Sequence, residues 1–224
     1  MTVSGKQLLL EAALRLTANN RNLKSLGIRE LAREAGLNPN TFYRHFSDID
    51  DLGLAAIDQL AARLRQPLRH LRWEAACRAE EASHADGPEL FGVSLGRGRK
   101  VCHQTVVLFF DFVADNPQAI MLGVRELQGP SAVLREALHL MISGLATDMA
   151  EDIIELELLP RRVDPQAIEQ VARLITRNLL QMSLDYINQP EQRDSIRALA
   201  EEQVVMLFTG AMALHEAGQL KLPV

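Results

Sequence analysis

Apolar residues recur three and four positions apart along nearly the whole chain, and no stretch of convincing length alternates as a strand would. The pattern opens with Leu9, Ala12, Ala13 and Leu16, which predicts a helix over residues 2–19 closed by Asn19-Asn20. Ile28, Leu31, Ala32 and Ala35 repeat it on a second helix. Gly36 breaks that helix, because glycine readily takes the left-handed geometry that ends one. Asn38-Pro39 then restarts the chain, with Asn38 as N-cap and Pro39 at the first helical position. Phe42 and Phe46 lie four apart and face inward, which leaves Asn40, Thr41, Tyr43, Arg44 and His45 on or beside the outer face. A short helix that shows hydrogen-bonding and basic groups at its N-terminal end has the build needed to read a major groove. Gly27 to Phe46 therefore reads as a helix-turn-helix.

After Phe46, Ser47 and Asp50 have capping-box spacing, with Asp48 also available as the cap of a long helix carrying Ile49, Leu52, Ala56, Leu60, Leu64 and Leu71. Pro67 falls inside it and is expected to kink or end it. Residues 83–100, with four glycines and a proline, read as a flexible surface loop or short irregular helix. Their Gly-Arg-Gly-Arg-Lys lacks the Lys-Ser/Thr and the preceding strand of a phosphate loop. Helical stripes then follow over 101–114, 117–127, 131–158, 165–187 and from Pro190 to Gly218. Asp164-Pro165 supplies a cap and first position for the fourth of these. The expectation is an all-α chain of about nine helices: a three-helix head over 1–47 and a larger helical domain over 48–224.

Charge sharpens this division. Up to Ser47 the chain has seven Lys/Arg against three Asp/Glu, a balance of +4; with −5 overall, the remainder carries −9. A basic end on an acidic body suits a protein that presents one end to DNA. Lys6 on the first helix reads equally as a phosphate neighbour or a solvated lysine. Cys77 and Cys102 have no metal-ligand spacing, and His103 and His139 show no evident catalytic partner. No catalytic residue, metal site or cofactor is expected, and an all-α enzyme acting on acyl thioesters is a remote alternative. The early Leu8–Leu10 run is interrupted by Glu11 and Arg15, and the most apolar run, 106–124, by Asp111, Asp115, Asn116 and Pro117. Neither a signal nor a membrane span is read there, and the expected location is cytoplasmic.

Ile28-Arg29-Glu30-Leu31-Ala32, Ala35-Gly36 and Thr41-Phe42-Tyr43-Arg44-His45-Phe46 resemble the signature of the TetR family of bacterial transcriptional repressors. The resemblance implies that Asn40, Thr41 and Arg44 face bases and Tyr43 and His45 hold phosphates, with Arg29 near the backbone and Asn38 beside them. Gly27 stands where the family usually has a Ser or Thr cap, and Asp48 where many members have a phosphate-binding Lys, so two backbone contacts are weakened. A narrower similarity, Asn116-Pro117, Ala119, Leu122 and Arg125-Glu126, is to the repressors of unsaturated fatty acid synthesis and desaturation (the FabR and DesT type). It implies an acyl tunnel near Phe109, Phe112, Val113, Leu145 and Met149, with Arg125 either at the pocket edge or in an ion pair with Glu126 or Asp111.

The implied protein is a homodimeric repressor on a palindromic double-stranded DNA operator. Its effector is a long-chain acyl thioester (acyl-CoA or acyl carrier protein), or alternatively a different apolar or drug-like compound. The last two helices have the layout of an antiparallel pair that forms a four-helix bundle with a second copy. Leu174, Asn178, Leu207, Phe208 and Ala211 are the expected interface, and closing the monomer's own core is the alternative for both helices.

Overall fold

The computed structural model describes residues 4–18, 21–81, 89–90 and 93–221. Among them are nine α-helices: α1 Gly5–Thr17, α2 Ile28–Glu34, α3 Pro39–Phe42, α4 Ile49–Glu81, α5 Leu95–Asp115, α6 Pro117–Glu126, α7 Ala132–Glu155, α8 Pro165–Asn188 and α9 Arg193–Glu216. The all-α expectation holds. The one extended feature is a two-residue ladder, β1 Glu89–Leu90 antiparallel to β2 Val93–Ser94, which the sequence pattern did not show.

Local chemistry sets most of the ends. Gly36, at φ +67°, follows α2, and Leu37 N–H reaches Ala32 O (2.8 Å) while Gly36 N–H reaches Arg33 O (3.1 Å). This pair of bonds satisfies two end carbonyls and needs a left-handed residue between them. Asn38 Oδ1 then accepts from Asn40 N–H at 2.9 Å and Pro39 opens α3, as the sequence predicts. The α-helix ends earlier than expected, at Phe42; Tyr43 to His45 continue as turns, because Arg44 and His45 bond only three residues back, to Thr41 O and Phe42 O. The cap of α4 is Asp48 rather than Ser47: Asp48 Oδ1 accepts from Asp51 N–H (2.9 Å), and Asp51 Oδ2 accepts from Ser47 N–H (2.8 Å). A carboxylate outcompetes the Ser47 hydroxyl at the positive end of the helix.

Two boundaries differ from those the sequence suggests. Helix α4 continues through Pro67 to Glu81 rather than ending there, since one missing amide hydrogen bond is tolerated where both flanking turns pack, with Leu64 and Leu68 buried. Residues 95–100 of the supposed loop form the first turns of α5, where Ser94 Oγ accepts from Arg97 N–H at 3.4 Å. Residues 83–88 and 91–92 of that stretch lie outside the described residues.

The chain divides into two compact units, Met1–Arg63 with Asn116–Met141, and Leu64–Asp115 with Ile142–Val224. Helices α4 and α7 each run from one unit into the other. The first unit contains all of the expected head together with α6 and the start of α7. Its core gathers Leu9, Leu31, Phe42, Leu52, Leu122 and Leu134. Gly53 is needed there for close approach, since a Cβ would stand 2.6 Å from a Leu134 methyl. In the second unit α5, α8 and α9 pack on one another, with Phe110 and Tyr186 in ring contact at 4.6 Å.

Candidate nucleic-acid interface and ligand cavity

Helices α1, α2 and α3 pack through Leu9, Leu31 and Phe42, and this fixes which side chains the head shows to solvent. Arg29, Asn38, Asn40, Tyr43, Arg44 and His45 are exposed and Thr41 is half-buried. Tyr43 is 62% exposed although aromatic, its ring edge-on to Phe42 at 5.5 Å. Asn38 divides its work, because its carbonyl oxygen caps α3 and only its amide remains to donate outward.

Ion pairing sorts the seven cations of the head. Arg15 pairs with Glu34 (2.8 Å), Arg21 with Glu30 (2.7 Å) and Lys24 with Asp50 (2.6 Å). The hydrogen bond from Arg21 holds the Glu30 carboxyl below its ordinary value, helped by the Gly27 amide. The remaining four, Lys6, Arg29, Arg33 and Arg44, make no ion pair among the described residues. Lys6 rests 5.8 Å from the centre of the Phe46 ring, two residues beyond Arg44 in sequence. Arg33 lies four residues after Arg29, on the same stripe of α2, and sequence reasoning missed it; that spacing was its signal. Gly27 caps α2 without a side chain, so only half of a reciprocal cap exists, Glu30 accepting from Gly27 N–H at 3.5 Å.

Residues 9–56, which contain all of these side chains except Lys6, match the family described as bacterial regulatory proteins, tetR family. That segment is a TetR-family DNA-binding segment. This regulator is a DNA-binding transcriptional regulator, and solved structures share its fold over nearly the whole chain. One is the fatty acid degradation regulator FadR from Bacillus halodurans, at 14% identity and TM-score 0.64, covering 92% of this chain and 96% of that one. FadR from Bacillus subtilis, solved with stearoyl-CoA, gives 14% identity and TM-score 0.55, with 89% and 96% covered. The SmeT–triclosan complex gives 14% and 0.64, with 90% of each chain covered. No single helix among the described residues is long and apolar enough to cross a membrane.

The second unit of the regulator holds a cavity of about 110 Å³. Val101, Cys102, Thr105 and Val106 of α5 form one wall, Met149 and Ile153 of α7 another, and Val204, Phe208 and Met212 of α9 a third. Of the six residues expected around an effector, Met149 alone lines it. Phe109, Phe112 and Val113 stand further along α5, where Phe109 packs edge-on to Phe110 and Val113 is fully buried. Leu145, one turn before Met149, is half-buried outside the lining. Arg125 belongs to the first unit and donates to Thr17 O (2.8 Å) and Arg21 O (2.9 Å) rather than facing a ligand. Asp111, one partner suggested for it, takes Arg197 instead (2.5 Å). Glu126, the other, accepts from Leu23 N–H (2.7 Å).

Phe208, expected on the dimer surface, is turned into the cavity wall, a placement legible afterwards in the four-residue spacing of Val204, Phe208 and Met212. Of its expected companions, Leu174 is exposed, Leu207 and Ala211 are half-buried, and Asn178 donates to Gln203 across α8 and α9. His103 does have a partner, Glu201 Oε1 at 2.9 Å. Cys102 donates instead to the Glu201 carbonyl (3.7 Å), and burial pushes its thiol up to about 12, so the two neighbours do not form a nucleophile–base pair.

One side of the cavity is charged. Arg72 lines it while 4% exposed, and Asp152, fully buried, accepts from Arg72 Nε (2.7 Å) and Trp73 Nε1 (3.3 Å) and pairs with Arg72 Nη2 (2.5 Å) and Arg69 Nη2 (3.0 Å). Asp148 accepts two bonds from Arg65, at 2.7 and 2.8 Å. Burial pulls Arg72 below its ordinary value and Asp152 opposes it.

Proposed function

We propose that the regulator is a homodimeric repressor that binds a palindromic operator through α3 and the start of α2, and answers an apolar effector seated in the cavity. The observation that carries the DNA reading is the sorting of charge: four cations without ion pairs accompany Tyr43, Asn40 and His45 on the exposed side of the helix-turn-helix. In this reading Asn40, Thr41 and Arg44 meet base edges, while Tyr43, His45, Arg29 and the Asn38 amide hold the backbone. Arg44→Ala and Tyr43→Ala each weaken operator binding in a gel shift at fixed salt, Arg44→Ala by about 1–3 kcal/mol, with thermal stability unchanged. Parent affinity in both variants would remove the assignment.

Dimerisation through α8 and α9 is supported by Leu174, Leu199, Met206 and Leu214, large apolar side chains left exposed on these two helices. Two heads must then span successive major grooves, about 34–36 Å apart, and an effector acts by binding one spacing better than the other. Sedimentation of Leu174→Asp, expected to release monomers, tests this.

For the effector, the apolar walls and the fold shared with a stearoyl-CoA complex support a long-chain acyl thioester and a role in fatty acid metabolism. The compact volume, well below the usual range of about 300–1,000 Å³ for ligand sites, favours a smaller drug-like compound. Mass spectrometry of ligands carried through native purification separates the two.

A further inference from the structure

The cavity walls are apolar except at the Ser94, Thr105 and Thr209 hydroxyls, the Cys102 thiol and the guanidiniums of Arg72 and Arg99. Thr105 Oγ1 donates to Val101 O (2.7 Å), and Arg99 gives Nη1 and Nη2 to Glu202 (2.6 and 3.2 Å). Arg72 differs. Its Nε and Nη2 both end on one oxygen, Asp152 Oδ2, and its Nη1 makes no hydrogen bond among the described residues. A guanidinium carries five N–H donors, so a buried cation with spare donors lines a mostly apolar cavity.

The charges around it decide what such a cation accepts. Arg65, Arg69 and Arg72 on α4 face Asp148, Glu151 and Asp152 on α7 within the second unit, three cations against three carboxylates. At the buried Arg72–Asp152 pair the charges already balance, so an anionic ligand would find no cation left to neutralise it there, and desolvating such a charge is costly. An uncharged oxygen acceptor instead gains a charge-assisted hydrogen bond and gives up little hydration.

We infer that Arg72 is the polar anchor of the cavity and selects uncharged apolar molecules bearing a carbonyl or phenolic oxygen over carboxylates and plain hydrocarbons. This rests on the reading of the cavity as the effector seat. It joins the two effector classes above, since an ester-type carbonyl and a phenol satisfy the same donor while a free fatty acid does not.

The chain's single tryptophan, Trp73, donates to Asp152 and so reports on this corner. Fluorescence titration of the full-length protein, checked by calorimetry, is to use octan-2-one, oct-1-ene and octanoate. The ketone is expected to bind about tenfold or more tighter than the alkene, with octanoate weakest. Arg72→Lys, which keeps a charge beside Asp152 and withdraws the fork, reduces the ketone advantage while alkene binding stays within about twofold. Arg72→Met with Asp152→Asn removes both charges and gives the same result without a stranded ion. Octanoate binding as tightly as the ketone, or a ketone advantage that survives in both variants, overturns the anchor. If none of the three probes binds the parent protein, the effector-seat reading falls and the anchor with it, a result distinct from binding without discrimination.

Discussion

Asp152→Ala is the sharpest test of how the second unit is held together. The carboxylate is fully buried, accepts hydrogen bonds from Arg72 and Trp73, and is ion-paired with Arg69 and with Arg72, itself 4% exposed. Removing it strands the Arg72 charge in a site that water does not readily reach, a change that typically costs about 3–5 kcal/mol. For a chain of this length, at about 2–4 °C per kcal/mol, the midpoint of thermal unfolding should fall by roughly 6–20 °C. Asp148→Ala is the internal control: its main partner, the Arg65 side chain, is 41% exposed and regains water when released, so the loss should be about 1 kcal/mol. Urea and thermal denaturation followed by far-ultraviolet circular dichroism measure both, at one protein concentration, because the proposed dimerisation would shift the midpoint. Arg72→Met with Asp152→Leu should recover most of the loss, since two well-packed apolar groups stand in for a buried pair. Equal costs for Asp152→Ala and Asp148→Ala, or a cost below about 1 kcal/mol for the first, would refute the argument from burial.

Backbone handedness gives an opposed pair of substitutions: Gly36→Ala at φ +67° should lose about 1 kcal/mol, and Glu157→Gly at φ 50° should gain about 0.5–1 kcal/mol, both by urea denaturation. Ellman titration of the native protein at pH 8 should register Cys77, which is exposed, and leave Cys102 silent until denaturant is added. The Cys102 thiol is raised from 9.0 to about 12, so its contribution to stability is complete below pH 9 and is lost as pH climbs towards 12; Cys102→Ser should flatten that part of the stability profile. Glu126→Ala strands the Leu23 amide and should cost about 1–3 kcal/mol, while Glu126→Gln keeps an acceptor and should cost less; equal losses would show that the hydrogen bond contributes nothing.

The head was legible in the sequence because its signals are local. A glycine at the left-handed position, an Asn-Pro start and two phenylalanines four apart each act within one helical turn. Helix α7 ends with the same pair of bonds, Leu158 N–H to Ile153 O and Glu157 N–H to Ile154 O, yet a glutamate fills the left-handed position and nothing in the sequence marks it. The cavity was less legible for a different reason. An apolar stripe shows that a helix has an inward face but not which turns of that face leave a gap, so Phe109, Phe112 and Val113 were indistinguishable from Val101, Cys102 and Val106. The ladder of Arg65, Arg69 and Arg72 shows helical spacing on α4, but its partners lie some 80 residues away, at Asp148 and Asp152. Arg125 and Glu126 stand together in the sequence, but their backbone partners, Thr17 O, Arg21 O and Leu23 N–H, leave no mark in composition.

The Leu23 amide proton is held by a carboxylate 103 positions further along the chain, not by a neighbouring carbonyl. Its exchange with solvent deuterium is therefore timed by how often Glu126 lets go, on a clock separate from the helix amides around it, which open only when their own turns unravel. A single labelled amide in the DNA-binding unit thus reads out the docking of α6 while the helix-turn-helix stays intact.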